Sequence, residues 1–81
     1  MSPKTAAAYE EIKRAAASGQ KYIAPVTFGP FYGRAATAAA FRMAKRDFVI
    51  EVAYTSAAGT PVYRAYGTAA AEVEAVGAVK H

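Results

Sequence analysis

Along this chain the apolar positions recur twice with a helical period and twice with a period of two. Ser2-Pro3 supplies a capping residue and a first-turn proline for a helix running to Ala17. The stripe of that helix is Tyr9, Ile12 and Ala16. Glu10 and Arg14 sit four apart on its outer side in the favourable order, and Ser18-Gly19 ends it. Residues 21–27, with Tyr22, Ile23 and Val26 around Pro25, predict a short extended segment or a strand at a sheet edge. Phe28-Gly29-Pro30-Phe31-Tyr32-Gly33 is dense in turn-formers and aromatics and predicts a loop, or at most one helical turn. Residues 34–46 form an uninterrupted helical pattern. After Asp47 the period becomes two: Phe48, Ile50, Val52 and Tyr54 alternate with Val49, Glu51, Ala53 and Thr55. The alternation breaks at residues 56–60, where Gly59 is the expected positive-φ residue, and resumes over 61–66. Thr68 is placed to cap a last short helix through about Val76, with Val73 and Val76 as its sizeable apolar residues and Gly77 as its stop.

These elements describe one small α+β domain over residues 1–81, with its core in about 3–67 and a C-terminal helix or tail over 68–81. The core is thin. Of the 54% hydrophobic residues, half are the 22 alanines, and there is no leucine. The large apolar set is seven Val, three Ile, two Met, four Phe and six Tyr. Each stabilises by roughly 1.5–3 kcal/mol when fully buried, so self-association is a plausible supplement. The C-terminal helix is the expected homodimer contact. A GC-rich coding bias accounts for the alanine content without any functional meaning. The absence of cysteine excludes disulfides and thiolate metal sites. No apolar run approaches the roughly 18 residues needed to span a bilayer, and no signal-peptide pattern opens the chain. The expectation is a cytoplasmic protein without membrane contact.

The net charge is +4, and its placement is informative. The segment 34–66 carries Arg34, Arg42, Lys45, Arg46 and Arg64 against Asp47 and Glu51, whereas the segment from Gly67 is net acidic. On a helical wheel Arg34, Lys45, Ala38, Arg42, Ala35 and Arg46 fall within roughly 120°. The opposite side holds Ala36, Thr37, Ala39, Ala40, Phe41, Met43 and Ala44. All four cations of the helix therefore share one face, and between them lie only alanines. Ala35 and Ala38 permit close approach to a phosphate backbone or a major groove, and arginine suits bidentate contact with guanine edges or phosphates. A solvated helix face and a contact surface for an acidic protein are the competing readings. A generic surface helix mixes both signs, however, and this arc has no acid before Asp47.

A first helix, a short extended segment, a compact turn, a basic helix and a hairpin closing with "GTPVYRAYG" together resemble a winged helix-turn-helix domain over about Ser2–Gly67. The resemblance is one of architecture. It implies that residues 34–46 are the recognition helix and 56–60 the wing tip. Lys21 and the amides near Gly33-Arg34 would then face phosphates, and Tyr54, Tyr63 and Tyr66 would pack against the first and third helices. Arg64 is the one cation near the base of a wing whose tip, Ser-Ala-Ala-Gly-Thr, carries none.

The remaining chemistry is sparse. Phe28, Phe31 and Tyr32 read as either plugs for the end of a small core or an exposed patch. An aromatic strand pair that stacks single-stranded bases is conceivable, but two strands make a poor platform. His81, the lone histidine, is terminal, and Glu10-Glu11 point to different sides of their helix. With no phosphate-cradling glycine loop, metal-ligand cluster or nucleophile–base pair, neither an enzyme nor a cofactor is expected.

Two functions follow as expectations. The first is a double-stranded DNA-binding protein, a transcriptional regulator or recombination accessory factor of the kind carried by phages or plasmids. It would use Arg34, Arg42, Lys45 and Arg46 in the groove, with Lys21 and Arg64 as flanking phosphate contacts. The second is an anti-CRISPR-like inhibitor that binds a host protein, with the Phe28–Tyr32 patch or the terminal helix as its apolar anchor.

Overall fold

The computed structural model describes residues 1–67. The expected C-terminal helix, and the dimer contact assigned to it, lie outside the described residues. Helix α1 spans Pro3–Ala17. Its start is fixed by Ser2, whose Oγ accepts the Thr5 N–H at 3.1 Å. Its end is a glycine cap: Gly19 takes φ 80°, and the amides of Gly19 and Gln20 return to the carbonyls of Ala16 and Ala15. The surface ion pairs differ from the expected one. Lys13 pairs with Glu10 and Arg14 with Glu11, each three residues apart, rather than Arg14 with Glu10.

A 3-10 turn over Pro25–Thr27 and a one-turn helix α2, Gly29–Tyr32, lead into α3, Arg34–Arg46. Strands β1, Ile50–Thr55, and β2, Pro61–Ala65, form an antiparallel hairpin. The expected edge strand over 21–27 contracts to Ile23, which exchanges both backbone hydrogen bonds with Tyr63 at 2.8 and 2.9 Å. Pro25 has no N–H to continue the ladder, and its fixed φ starts the 3-10 turn instead. At the hairpin tip Ser56 and Thr60 close the loop through Ser56 N–H to Thr60 O at 2.8 Å, with Gly59 at φ 83°.

The core joins the inner sides of α1 and α3 to the inner face of the hairpin. It consists of Ile12, Ile23, Phe28, Phe41, Ile50 and Tyr63, with Ala8, Ala40 and Ala44 fully buried among them. Those alanines let α1 and α3 approach closely, which is how a chain without leucine closes its interior. Phe41 is the centre: its ring lies 5.0 Å from Phe28 and 5.2 Å from Tyr63. Among the described residues no helix is long and apolar enough to cross a membrane.

Strict alternation predicts Phe48, Ile50, Val52 and Tyr54 on one inward face, and the structure corrects this twice. First, β1 begins at Ile50, because Phe48 serves as the turn residue that ends α3. Its N–H returns to Lys45 O, the Val49 N–H returns to Ala44 O, and Phe48 takes φ 60°. Second, the register slips between Val52 and Tyr54: Val52 faces Tyr63 and Tyr54 faces Val62, so Ala53 is an extra residue, a β-bulge. Tyr63 points into the core, so its neighbour Val62, and Tyr54 with it, lie on the outer face. Tyr54 and Tyr66 are accordingly exposed, and of the three hairpin tyrosines only Tyr63 packs inward.

Two substitutions test this account. A Cβ at Gly59 meets no atom within 4 Å, so Gly59→Ala carries only the conformational strain of positive φ. It is expected to cost about 1 kcal/mol in denaturant unfolding. Thr37 is buried with no hydrogen-bond partner for its hydroxyl. The near-isosteric Thr37→Val should therefore raise stability, by about 1 kcal/mol.

Candidate nucleic-acid interface

Gly33, at φ 87° and ψ 157°, turns the chain sharply out of α2 so that α3 can start immediately. From there the helical period and Phe41 decide the orientation. Thr37, Ala40, Phe41 and Ala44 are buried, while Ala36, Ala39 and Met43 are half-buried. Arg34, Ala35, Ala38, Arg42, Lys45 and Arg46 are all exposed. The structure thus brings together on one open face the four cations and the two alanines singled out from the sequence. Lys45 and Arg46 occupy the last turn, where they also complement the partial negative charge of the helix end.

The C-terminal end of this face is braced from α1. The Tyr9 hydroxyl donates to Asp47 Oδ2 at 2.7 Å, and Arg46 Nε donates to Asp47 Oδ1 at 3.3 Å. The Tyr9 hydrogen bond, with Arg46 beside it, holds the Asp47 carboxyl below its ordinary pKa. The same bond pushes the Tyr9 phenol above its own. Asp47 therefore carries charge at neutral pH and orients Arg46, the last cation of the row. Reading the sequence missed this contact, because Tyr9 and Asp47 are far apart in the chain and nothing local couples them.

At the other end a shallow groove runs between the Pro25–Thr27 turn, α3 and the hairpin tip. Val26, Pro30, Arg34, Ala38 and Thr60 line it. The hairpin tip therefore flanks the first two turns of the basic face. The two expected flanking cations have contacts of their own. Arg64 stands opposite Glu51 on the outer side of the hairpin and lies 3.8 Å from its carboxylate. Lys21 is exposed, with its ammonium 5.6 Å from the centre of the Tyr22 ring. Of the aromatic patch, Phe28 is core, Tyr32 is half-buried and Phe31 is open to solvent.

The Tyr9–Asp47 link makes a pH prediction with a definite sign. Asp47 has a lowered pKa when folded, so the stability it contributes is present above the unfolded value and lost as pH falls through the folded one. Tyr9 has a raised pKa, so its contribution is present below the ordinary phenol range and lost as pH rises through the folded value. Tyr9→Phe should be less stable than the parent at pH 7 in thermal melts. The difference should close at pH below the carboxylate range and again at alkaline pH. A difference independent of pH would mean that the hydrogen bond contributes nothing.

No family model matches the chain, and the comparisons with curated proteins and with solved structures likewise found no match.

Proposed function

We propose that this protein binds double-stranded DNA through the exposed face of α3, in the manner of a winged helix-turn-helix domain. The observation that carries the reading is the segregation of α3: every cation on it is exposed, Phe41 is buried and Met43 half-buried. Such a face presents an array of positive charge on a rigid rod of the width a major groove admits. Alanines at positions 35 and 38 leave room for the duplex between Arg34 and Arg42. The hairpin tip beside Arg34 and Ala38 occupies the position a wing would take, and its lack of cations leaves affinity to the helix. Arg64, paired across the strands to Glu51, is not counted among the contacts. Binding by one copy is modest and dominated by phosphate contacts, as suits a small regulator or an accessory factor that works alongside other proteins.

A second reading, an inhibitor that seats on a partner protein, is favoured by Phe31, 80% exposed, and by Val26, 75% exposed and lining the groove beside Arg34 and Ala38. Apolar side chains this open are more typical of protein contact surfaces than of DNA faces.

Fluorescence anisotropy with a random 30-mer duplex across a salt series separates the two. A duplex binder of this design gives a log–log salt slope of about 3 to 5, at about 0.9 per phosphate neutralised. The exposed double substitution Arg42→Ala/Arg46→Ala should lower that slope by about 2 while leaving helical content intact. No binding at low salt sinks the DNA reading and leaves the Phe31–Val26 surface as the one to pursue.

A further inference from the structure

We propose a second nucleic-acid site, on the outer face of the hairpin, that binds single strands by stacking bases on Tyr22, Tyr54, Tyr66 and Phe48. This face is built independently of α3. Ile23 and Tyr63 turn inward to the core, so the adjoining Tyr22, Val62 and Arg64 turn outward. The bulge at Ala53 brings Tyr54 to the same side, opposite Val62. Tyr22 lies beyond one edge of β2 and Tyr54 beyond the other. Their rings nevertheless meet edge to face at 5.4 Å, so the pair spans β2 beside the buried Val62. Tyr66 lies two residues past Arg64, just beyond the end of β2, and Phe48 packs on it at 5.2 Å in the second edge-to-face pair. The platform is thus a hairpin widened by the bridged Ile23 segment. All four rings remain exposed, Tyr22, Tyr54 and Tyr66 by about half.

Phe48 shows that this arrangement is not explained by stability. It occupies the left-handed helix-ending position at φ 60°, where glycine carries no penalty and a bulky side chain is strained. Burial does not repay the strain, since the ring is 67% exposed. A strained backbone that presents an aromatic ring to solvent is the pattern of a residue kept for contact.

Charge selects the occupant. Lys21 lies over the Tyr22 ring at one side of the platform, and Arg64 lies between the two ring pairs. The only acid on these strands is Glu51, whose carboxylate faces Arg64 and accepts the Gly67 N–H at 3.1 Å. Open rings beside Lys21, with Glu51 held by Arg64 and the Gly67 amide, fit unpaired bases on a phosphate backbone. This face is built on the hairpin rather than on α3, whose inner side Phe41 joins to Tyr63. The inference therefore stands or falls separately from the duplex reading.

The test measures anisotropy of the full chain with a (dT)15 oligonucleotide, a (U)15 oligonucleotide and an abasic 15-mer of the same charge. Bases should raise affinity over the abasic strand. Tyr22→Leu, Tyr54→Leu or Phe48→Leu should each remove about tenfold of that difference, whereas Tyr54→Phe should preserve it. Arg42→Ala/Arg46→Ala, which weakens duplex binding, should leave the base-dependent ratio unchanged. The relative strength of the dT and U arms tells whether DNA or RNA is the source; a base-dependent gain in either supports the site. Should a leucine variant fail to fold, Phe48→Gly serves instead. It relieves the backbone, so its melting temperature should hold or rise while base-dependent binding falls. Equal binding to the abasic and (dT)15 strands overturns the proposal, as does a gain insensitive to all of these ring substitutions. So does a dimer, seen by sedimentation equilibrium, that the same substitutions dissolve, because a second copy would then be the occupant.

Discussion

The contact on which this structure depends is that of Phe41 with Tyr63 and Phe28. A chain with no leucine has few side chains large enough to join its layers, and Phe41 is the one on α3 that touches both the hairpin and the segment before the helix. Tyr63 extends the connection through two backbone hydrogen bonds to Ile23. Because Phe41 is locked inward, the rotation of α3 about its axis is set, and the side of the helix that meets solvent is set with it. The surface charge pattern is thus a consequence of core packing. Losing the ring would cost about 3–5 kcal/mol, a large share of what a domain of this size holds.

Alanine connects the interior to the surface. Inside, Ala8, Ala40 and Ala44 let two helices come close enough to need few large residues. Outside, Ala35 and Ala38 leave the arginines standing clear of bulky neighbours. Coding bias is sufficient to explain the abundance of alanine, but the positions it occupies have these two physical effects whatever its origin. At the C-terminal end of α3, Asp47 adds a negative charge beside Arg46, and the Tyr9 hydroxyl keeps that charge in place. This is a local brace of modest strength between exposed groups.

The hairpin is asymmetric in the same economical way. Its inner face contributes Ile50 and Tyr63 to the core, and its outer face carries two ring pairs around a cross-strand ion pair. One inserted residue, Ala53, separates those roles by moving Tyr54 from the inward set to the outward one. The two proposed binding faces thereby rest on different elements, α3 and the hairpin.

Much of the architecture was legible in the sequence because it follows from local rules. Ser2 and Gly19 bound α1, the basic helix runs from Arg34 to Arg46 as its period predicts, and Gly59 takes the positive φ its loop requires. The exposed arc of α3 was legible for the same reason: a helix turns every residue by a fixed angle, so one buried stripe dictates the rest. What tertiary structure decided is where those rules compete. Period two placed Tyr54 inward, but a register slip of one residue reverses a side chain, and the slip depends on how β1 meets β2. Phe48 read as the first strand residue, yet ending α3 claimed it for a left-handed turn. Register, not local pattern, placed Glu51 opposite Arg64, and the Tyr9–Asp47 bond joins residues that only the packing of α1 on α3 brings together. Helix faces are determined by geometry within one element, whereas strand faces and long-range polar pairs are determined by a second element whose register the sequence pattern does not encode.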